Sequence, residues 1–236
     1  MRIACLQHVS FEGPGNIANW ATERGHSMKI VHVYDGANLP KPEDFDLLVV
    51  MGGPMSVNDE SEYPWLVPEK KLVRECLNQG TFVLGVCLGS QIMADCLGSR
   101  VYRNRVKEIG WFPIRLRPEA SHSALLRGMA KDLDVMHWHG ETYDLPAGCV
   151  HLAASDGCAV QAFEHPSGLG LQFHLEMTAE GLHNLISHFG AEIGSGPYEQ
   201  PVDKIVSGET VQHDAMQTTL FRILDRIEER IAGGKN

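Results

Sequence analysis

The chain has 236 residues, 43% hydrophobic and 21% charged, enough to enclose a large core and the balance expected of a soluble globular enzyme. A net charge of −10, with no Lys/Arg cluster longer than Lys70-Lys71, excludes a protein that grips nucleic acid through its phosphates. No apolar run approaches a membrane span, and the N-terminal MRIACLQHV lacks the charged start and long apolar core of a secretory signal. Six cysteines without a CxxC pair fit reduced thiols in the cytoplasm better than a disulfide framework.

In chain order, residues 2–9 read as a first strand. Asn16–Arg24 reads as a short helix stopped by Gly25, with Ile17, Trp20 and Ala21 on its inner face. Met28–Tyr34 and Leu47–Met51 read as further strands. Alternation of strands and helices predicts a mostly parallel sheet covered on both faces. Within this opening, Gly13-Pro14-Gly15-Asn16-Ile17-Ala18 fits G-x-G-x-x-A, with Asp35 after the next strand, as a dinucleotide fingerprint would require. Ser10, Phe11 and Glu12 lengthen the turn before the first glycine, however, and Pro14 removes an N–H that a pyrophosphate would need, so no nucleotide cofactor is expected.

Gly52-Gly53-Pro54 forms a tight turn at a strand's carboxyl end, where open α/β sheets gather their ligand sites. A helix at Pro68–Leu77 then leads through Asn78-Gln79-Gly80 to the most informative stretch, TFVLGVCLGSQIMADCL at 81–97. Phe82, Val83, Leu84 and Val86 read as a buried strand, and Leu88, Ile92, Met93 and Cys96 fall on one helix face. Cys87 sits at the joint between Gly85 and Gly89, the thiol counterpart of a nucleophile elbow, and the following helix N-terminus favours its thiolate. Cys87 is the candidate nucleophile.

Residues 101–117 and 133–163 read as further strands, with VKEIGWFPIRL and the pair VHLAASDG and CAVQAFEH suggesting hairpins and hence a mixed sheet. His137 and His139 send both rings to one strand face, as metal sites do. With no third ligand at a defensible spacing and Glu141 only suggestive, no metal is expected. In the strand reading of GLQFHLEM at 170–177, His174 and Glu176 share a face, which sets a carboxylate beside an imidazole and fits the orienting role in a nucleophile–base–acid triad. Ser195–Gly208 reads as a connecting segment. Asp214–Ile231 reads as a helix with Met216, Leu220, Ile223, Leu224, Ile227 and Ile231 on one side, expected to pack back on the domain, with a homodimer contact left open.

MGGP at 51–54, GVCLGSQ at 85–91, KEIGW at 107–111, HWHGETYDLP at 137–146 and QFHLE at 172–176 together resemble the class I glutamine amidotransferase family, the glutaminase module found at the front of GMP synthases. The resemblance implies a three-layer α/β sandwich of flavodoxin-like type over 1–194, with 195–236 as a connecting segment and helix on the same domain. It implies a triad of Cys87, His174 and Glu176, and an oxyanion hole from the N–H groups of Gly53 and Leu88. Gln91, with the backbone around Trp138, His139 and Gly140, would hold the amino-acid end of L-glutamine. One departure is Leu175, where many members carry proline.

What is then expected is hydrolysis of the glutamine side-chain amide through a glutamyl thioester, without cofactor. No Gly-x-x-x-x-Gly-Lys-Ser/Thr phosphate loop occurs and a single helix follows the motifs, so the ammonia is expected to go to a separate synthase subunit. Two alternatives stay open: a γ-glutamyl hydrolase or peptidase with the same triad, and a binding or regulatory protein whose triad is vestigial.

Overall fold

Leu47-Leu48-Val49-Val50 is apolar at every position, the signature of a strand buried on both faces. The computed structural model, which describes residues 1–234, places it inside a nine-stranded sheet, third from one edge. The strands are β1 (Arg2–Gln7), β2 (Ser27–His32), β3 (Leu47–Val50), β4 (Phe82–Val86), β5 (Val101–Leu116), β6 (Asp132–Tyr143), β7 (Val150–Ala154), β8 (Ala162–His165) and β9 (Gly168–Leu171). Their order is β2-β1-β3-β4-β9-β8-β7-β5-β6. The first five are parallel and the rest antiparallel, so the sheet is mixed.

Strand periodicity divides the core in two. Ile3, Cys5, Leu47, Val49, Leu84 and Val86 face one apolar layer, while Ala4, Leu6, Leu48, Val50 and Val83 face the other. The first layer is closed by α1 (Asn16–Glu23), α4 (Ala179–Phe189) and α5 (Val202–Gly233), the second by α2 (Leu66–Gln79) and α3 (Leu88–Cys96). The architecture is the expected flavodoxin-like three-layer sandwich. No helix among the described residues is long and apolar enough to cross a membrane.

Several local expectations are corrected. Residues 33–35 form a 3-10 turn rather than the end of β2. VKEIGWFPIRL is not a hairpin of its own but part of the 16-residue β5, which pairs with β6 across a bulge between Arg103 and Glu108, whereas β7 and β8 do form an antiparallel pair. Regular pairing of GLQFHLEM ends at Leu171, and beyond it only an isolated bridge joins His174 to Met136.

The connecting segment is shorter than its Gly, Pro and Ser content suggests, because α5 begins at Val202, immediately after Pro201. Its interior Gly208 lies against the Trp111 indole, where a Cβ would come within 2.3 Å of Trp111 Cδ1. Close packing outweighs the helix cost of glycine, about 1 kcal/mol. Gln200 locks the same junction: its Oε1 accepts the Trp111 N–H at 3.0 Å and its Nε2 donates to the Trp111 carbonyl at 2.8 Å. Met216, Leu220, Ile223, Leu224 and Ile227 are buried in the first layer, so the helix is part of the core; residues 235–236 lie outside the described residues.

Truncating such a side chain leaves a cavity. Leu224→Ala should therefore lower stability by about 2–5 kcal/mol in urea unfolding, whereas a loosely attached helix would cost almost nothing.

Candidate active site

Backbone crowding makes the elbow. A Cβ on Gly89 would sit 2.0 Å from the Val50 carbonyl oxygen, and one on Gly85 would sit 2.5 Å from the Gly89 carbonyl oxygen. Only glycine lets α3 start this close to β3 and β4. Cys87 absorbs the turn with φ 51° and ψ −110°; it alone among the described non-glycine residues has positive φ, a strain of about 1–3 kcal/mol typical of functional positions. Its N–H is anchored to the Leu171 carbonyl at 2.8 Å, and Ser90 Oγ donates to its carbonyl at 2.7 Å.

The chain leaving β9 brings the expected partners to this thiol. Gln172 Nε2 donates toward Cys87 Sγ at 3.7 Å, and His174 lies within hydrogen-bonding reach of the sulfur. His174 Nδ1 and Glu176 Oε1 are 2.6 Å apart, with both side chains buried. Burial alone would lower the His174 pKa, but the Glu176 charge and the hydrogen bonds to Cys87 and Glu176 hold it well above the ordinary value. The i, i+2 relation therefore holds without a regular strand.

The glycine pattern near the N-terminus serves this site. Gly15 has φ 47°, and a Cβ there would lie 2.2 Å from the Glu176 carbonyl oxygen, which accepts the Asn16 N–H at 2.9 Å. The turn that mimics a dinucleotide fingerprint thus clamps the backbone of the candidate triad's acid.

A cavity of about 490 Å³ opens over Cys87 and is lined by Gly53, Gln91, Trp138, His139, Gly140 and His174 among others. No hydrogen bond among the described residues uses the N–H of Gly53 or of Leu88, so both remain free to donate. Gln91 Nε2 donates to Gln172 Oε1 at 3.1 Å and reaches the Glu141 carbonyl at 3.5 Å. The Trp138 carbonyl is 3.9 Å from Cys87 Sγ. Of the expected positions, Cys87, Gly53, Gln91, Trp138, His139, Gly140 and His174 line this cavity, whereas Glu176, bonded to His174, and Leu88, buried at the start of α3, do not.

The sequence reading passed over three residues. Gln172, inside a quoted motif, braces both Gln91 and Cys87. Glu12, seen only as part of a long turn, lines the cavity at 9% exposure, and burial pushes its pKa up. Glu108 is buried beside His137 and His139, giving that pair the third group it lacked, with one ligand atom from each within 4.8 Å of the others. Hydrogen bonds to the surroundings hold all three side chains in place. Glu108 accepts from Ser155 Oγ at 2.6 Å and Gln161 Nε2 at 2.8 Å and faces His139 Nε2 at 3.0 Å. His137 Nε2 bonds the Phe112 carbonyl at 3.1 Å, and His139 Nδ1 bonds that of Glu141 at 3.0 Å. The cluster acts as a polar brace between β5 and β6. Burial lowers the His137 pKa to about 4, whereas hydrogen bonding to His139 and the neighbouring histidine charges overcome burial to lower that of Glu108.

Residues 14–192 match the family profile Glutamine amidotransferase class-I. The chain belongs to this family. It is 32% identical over 232 residues to the glutamine amidotransferase-like protein YfeJ of Salmonella typhimurium, covering 96% of this chain and 97% of that one. It is also 32% identical over 136 residues to the glutamine-hydrolysing GMP synthase of Vibrio parahaemolyticus, a match over 56% of this chain and only 24% of the relative. The crystal structure of a glutamine amidotransferase from Thermotoga maritima superposes with a TM-score of 0.88 at 29% identity, over 96% of this chain and 97% of that one.

Two outcomes follow from this geometry. Gly15→Ala should displace the Glu176 backbone and cost about 2 kcal/mol or more in urea unfolding, since a positive-φ glycine is replaced and a backbone clash added. In an NMR titration, His174 should keep its proton above the ordinary histidine value of about 6.5, and Glu176→Gln should bring the midpoint down. Because the folded pKa is raised, the pair's stabilisation is complete below the unfolded value and fades as pH rises through the folded one.

Proposed function

We propose that this cavity is a glutaminase centre in which Cys87, His174 and Glu176 act as nucleophile, acid–base and orienting acid. The observation that carries the reading is a strained elbow cysteine within reach of an imidazole whose other nitrogen is 2.6 Å from a buried carboxylate.

The Cys87 thiolate attacks the side-chain amide carbon of L-glutamine, and the carbonyl electrons move to oxygen. The N–H groups of Gly53 and Leu88 receive that oxyanion, each donor lowering the barrier by about 3 kcal/mol. His174 gives its proton to the amide nitrogen, the C–N bond breaks, and ammonia leaves a glutamyl thioester. His174 then takes a proton from water, and the resulting hydroxide cleaves the thioester to glutamate and restores the thiolate. Gln91 and the backbone of Trp138, His139 and Gly140 hold the amino-acid end. The reaction calls on no cofactor.

The likeness to a glutamine-hydrolysing GMP synthase supports a synthase as ammonia acceptor. The six free cysteines fit a cytoplasmic setting. A γ-glutamyl hydrolase reading draws on the size of the cavity, which falls in the range that takes ligands larger than one amino acid. Arg103, Arg105 and Lys107 at its rim, in no ion pair among the described residues, would meet the extra portion of such a substrate.

The purified chain should release glutamate from L-glutamine, with Cys87→Ala lowering the rate at least a thousandfold. Preference for γ-glutamyl dipeptides would move the substrate class to hydrolase. Absence of turnover together with uniform sluggish alkylation of all six cysteines would refute an enzymatic role.

A further inference from the structure

A buried pair outside the triad is hydrogen-bonded to the turn that carries the Gly53 N–H. His8, just past the end of β1, and Glu69, in the first turn of α2, both have side chains at 0% exposure. His8 Nε2 lies 2.8 Å from Glu69 Oε1, and His8 Nδ1 lies 2.8 Å from the Gly52 carbonyl oxygen. The His8 ring stacks on Trp65 with centroids 5.4 Å apart. Since Glu69 Oε2 has no hydrogen-bond partner, His8 is the carboxyl's one hydrogen-bond partner among the described residues.

A carbonyl oxygen only accepts, so His8 must donate to Gly52 from Nδ1. Nε2 then either carries a second proton donated to the Glu69 carboxylate or accepts one from the Glu69 acid. In both arrangements the proton between the two side chains keeps Nδ1–H aimed at the carbonyl. Glu69, Gly52 and Glu12 together overcome the opposing effect of burial to raise the His8 pKa.

The consequence passes through one peptide plane. No described peptide bond is cis, so the Gly52 carbonyl and the Gly53 N–H point to opposite sides of the Gly52–Gly53 peptide. Tying the carbonyl down to His8 presents the N–H on the other side. Two successive glycines would otherwise let this peptide rotate freely.

Resting on the glutaminase reading above, we propose that the buried His8–Glu69 pair is a positioning device that holds the Gly52–Gly53 peptide with its N–H set for the oxyanion, so the chain is catalytically competent without a partner subunit. His8 and Glu69 act through Gly53 and do not touch substrate.

The test uses the full chain with L-glutamine, the wild type beside His8→Phe, Glu69→Gln and Glu69→Ala. His8→Phe keeps a ring against Trp65 but removes the donor, and should lower kcat roughly tenfold to a hundredfold while KM stays within about threefold, because the oxyanion exists only beyond the ground state. Glu69→Ala should follow it. Glu69→Gln can still donate to Nε2 and keep the Nδ1–H tautomer, so it should retain most of kcat.

L-glutamate γ-semialdehyde, which adds Cys87 to its carbonyl and places an oxygen where the oxyanion forms, should lose affinity in His8→Phe by about the factor lost in kcat. Unchanged kcat in His8→Phe, or equal losses in all three variants accompanied by raised KM, would overturn the proposal. Should the variants fail to fold, the wild type alone decides. Silence toward glutamine from a chain whose Cys87 is still labelled by the glutamine analogue 6-diazo-5-oxo-L-norleucine overturns the preset hole but leaves the nucleophile standing. Silence with no labelling removes the glutaminase reading and the proposal with it.

Discussion

The close approach of α3 to the strands it follows governs this molecule. Gly85 and Gly89 bring the helix start against the Val50 and Gly89 carbonyls, and the strain is concentrated on Cys87. A side chain at either glycine would push α3 outward, carry the thiol away from His174 and move the Leu88 N–H. Strain of this kind persists only where the surroundings over-determine it, and here a hydrogen bond to Leu171 and an apolar layer on each side do so.

Around that elbow the backbone is held repeatedly by buried polar side chains. Gln200 brackets Trp111, Gln172 links Gln91 to Cys87, and Glu108 with His137, His139, Ser155 and Gln161 joins β5 to the hairpin beyond it. In a dry interior each such group must find a partner, so together they admit few alternative arrangements. The cavity is therefore shaped by a rigid frame rather than by the helices alone.

Charge is arranged with the same economy. Glu176 favours the protonated form of His174, and Glu69 does so for His8, each through a carboxylate on one ring nitrogen. Both imidazoles follow the carboxyl ends of parallel strands, His174 after β9, where it lines the cavity, and His8 after β1, where it meets the Gly52 carbonyl. Family membership, supported by relatives matched along nearly their full length, makes this edge the place where chemistry is expected in an open α/β sheet.

The sequence by itself determined the layered α/β fold, the elbow at Cys87 and the pairing of His174 with Glu176, because each rests on local periodicity or spacing. An apolar run, two flanking glycines and an i, i+2 relation act over a few residues and need no knowledge of the rest of the chain. Only the tertiary structure decided where Glu12, Glu69 and Glu108 belong, since each meets partners far away in sequence. It also decided that Gly15 serves Glu176 and that Gly208 lies within α5. In both cases the glycine answers a contact with a distant segment, 161 residues away for Glu176 and at Trp111 for Gly208, so the local pattern could argue against a cofactor turn at Gly15 without showing what the glycine serves, and it read Gly208 as loop.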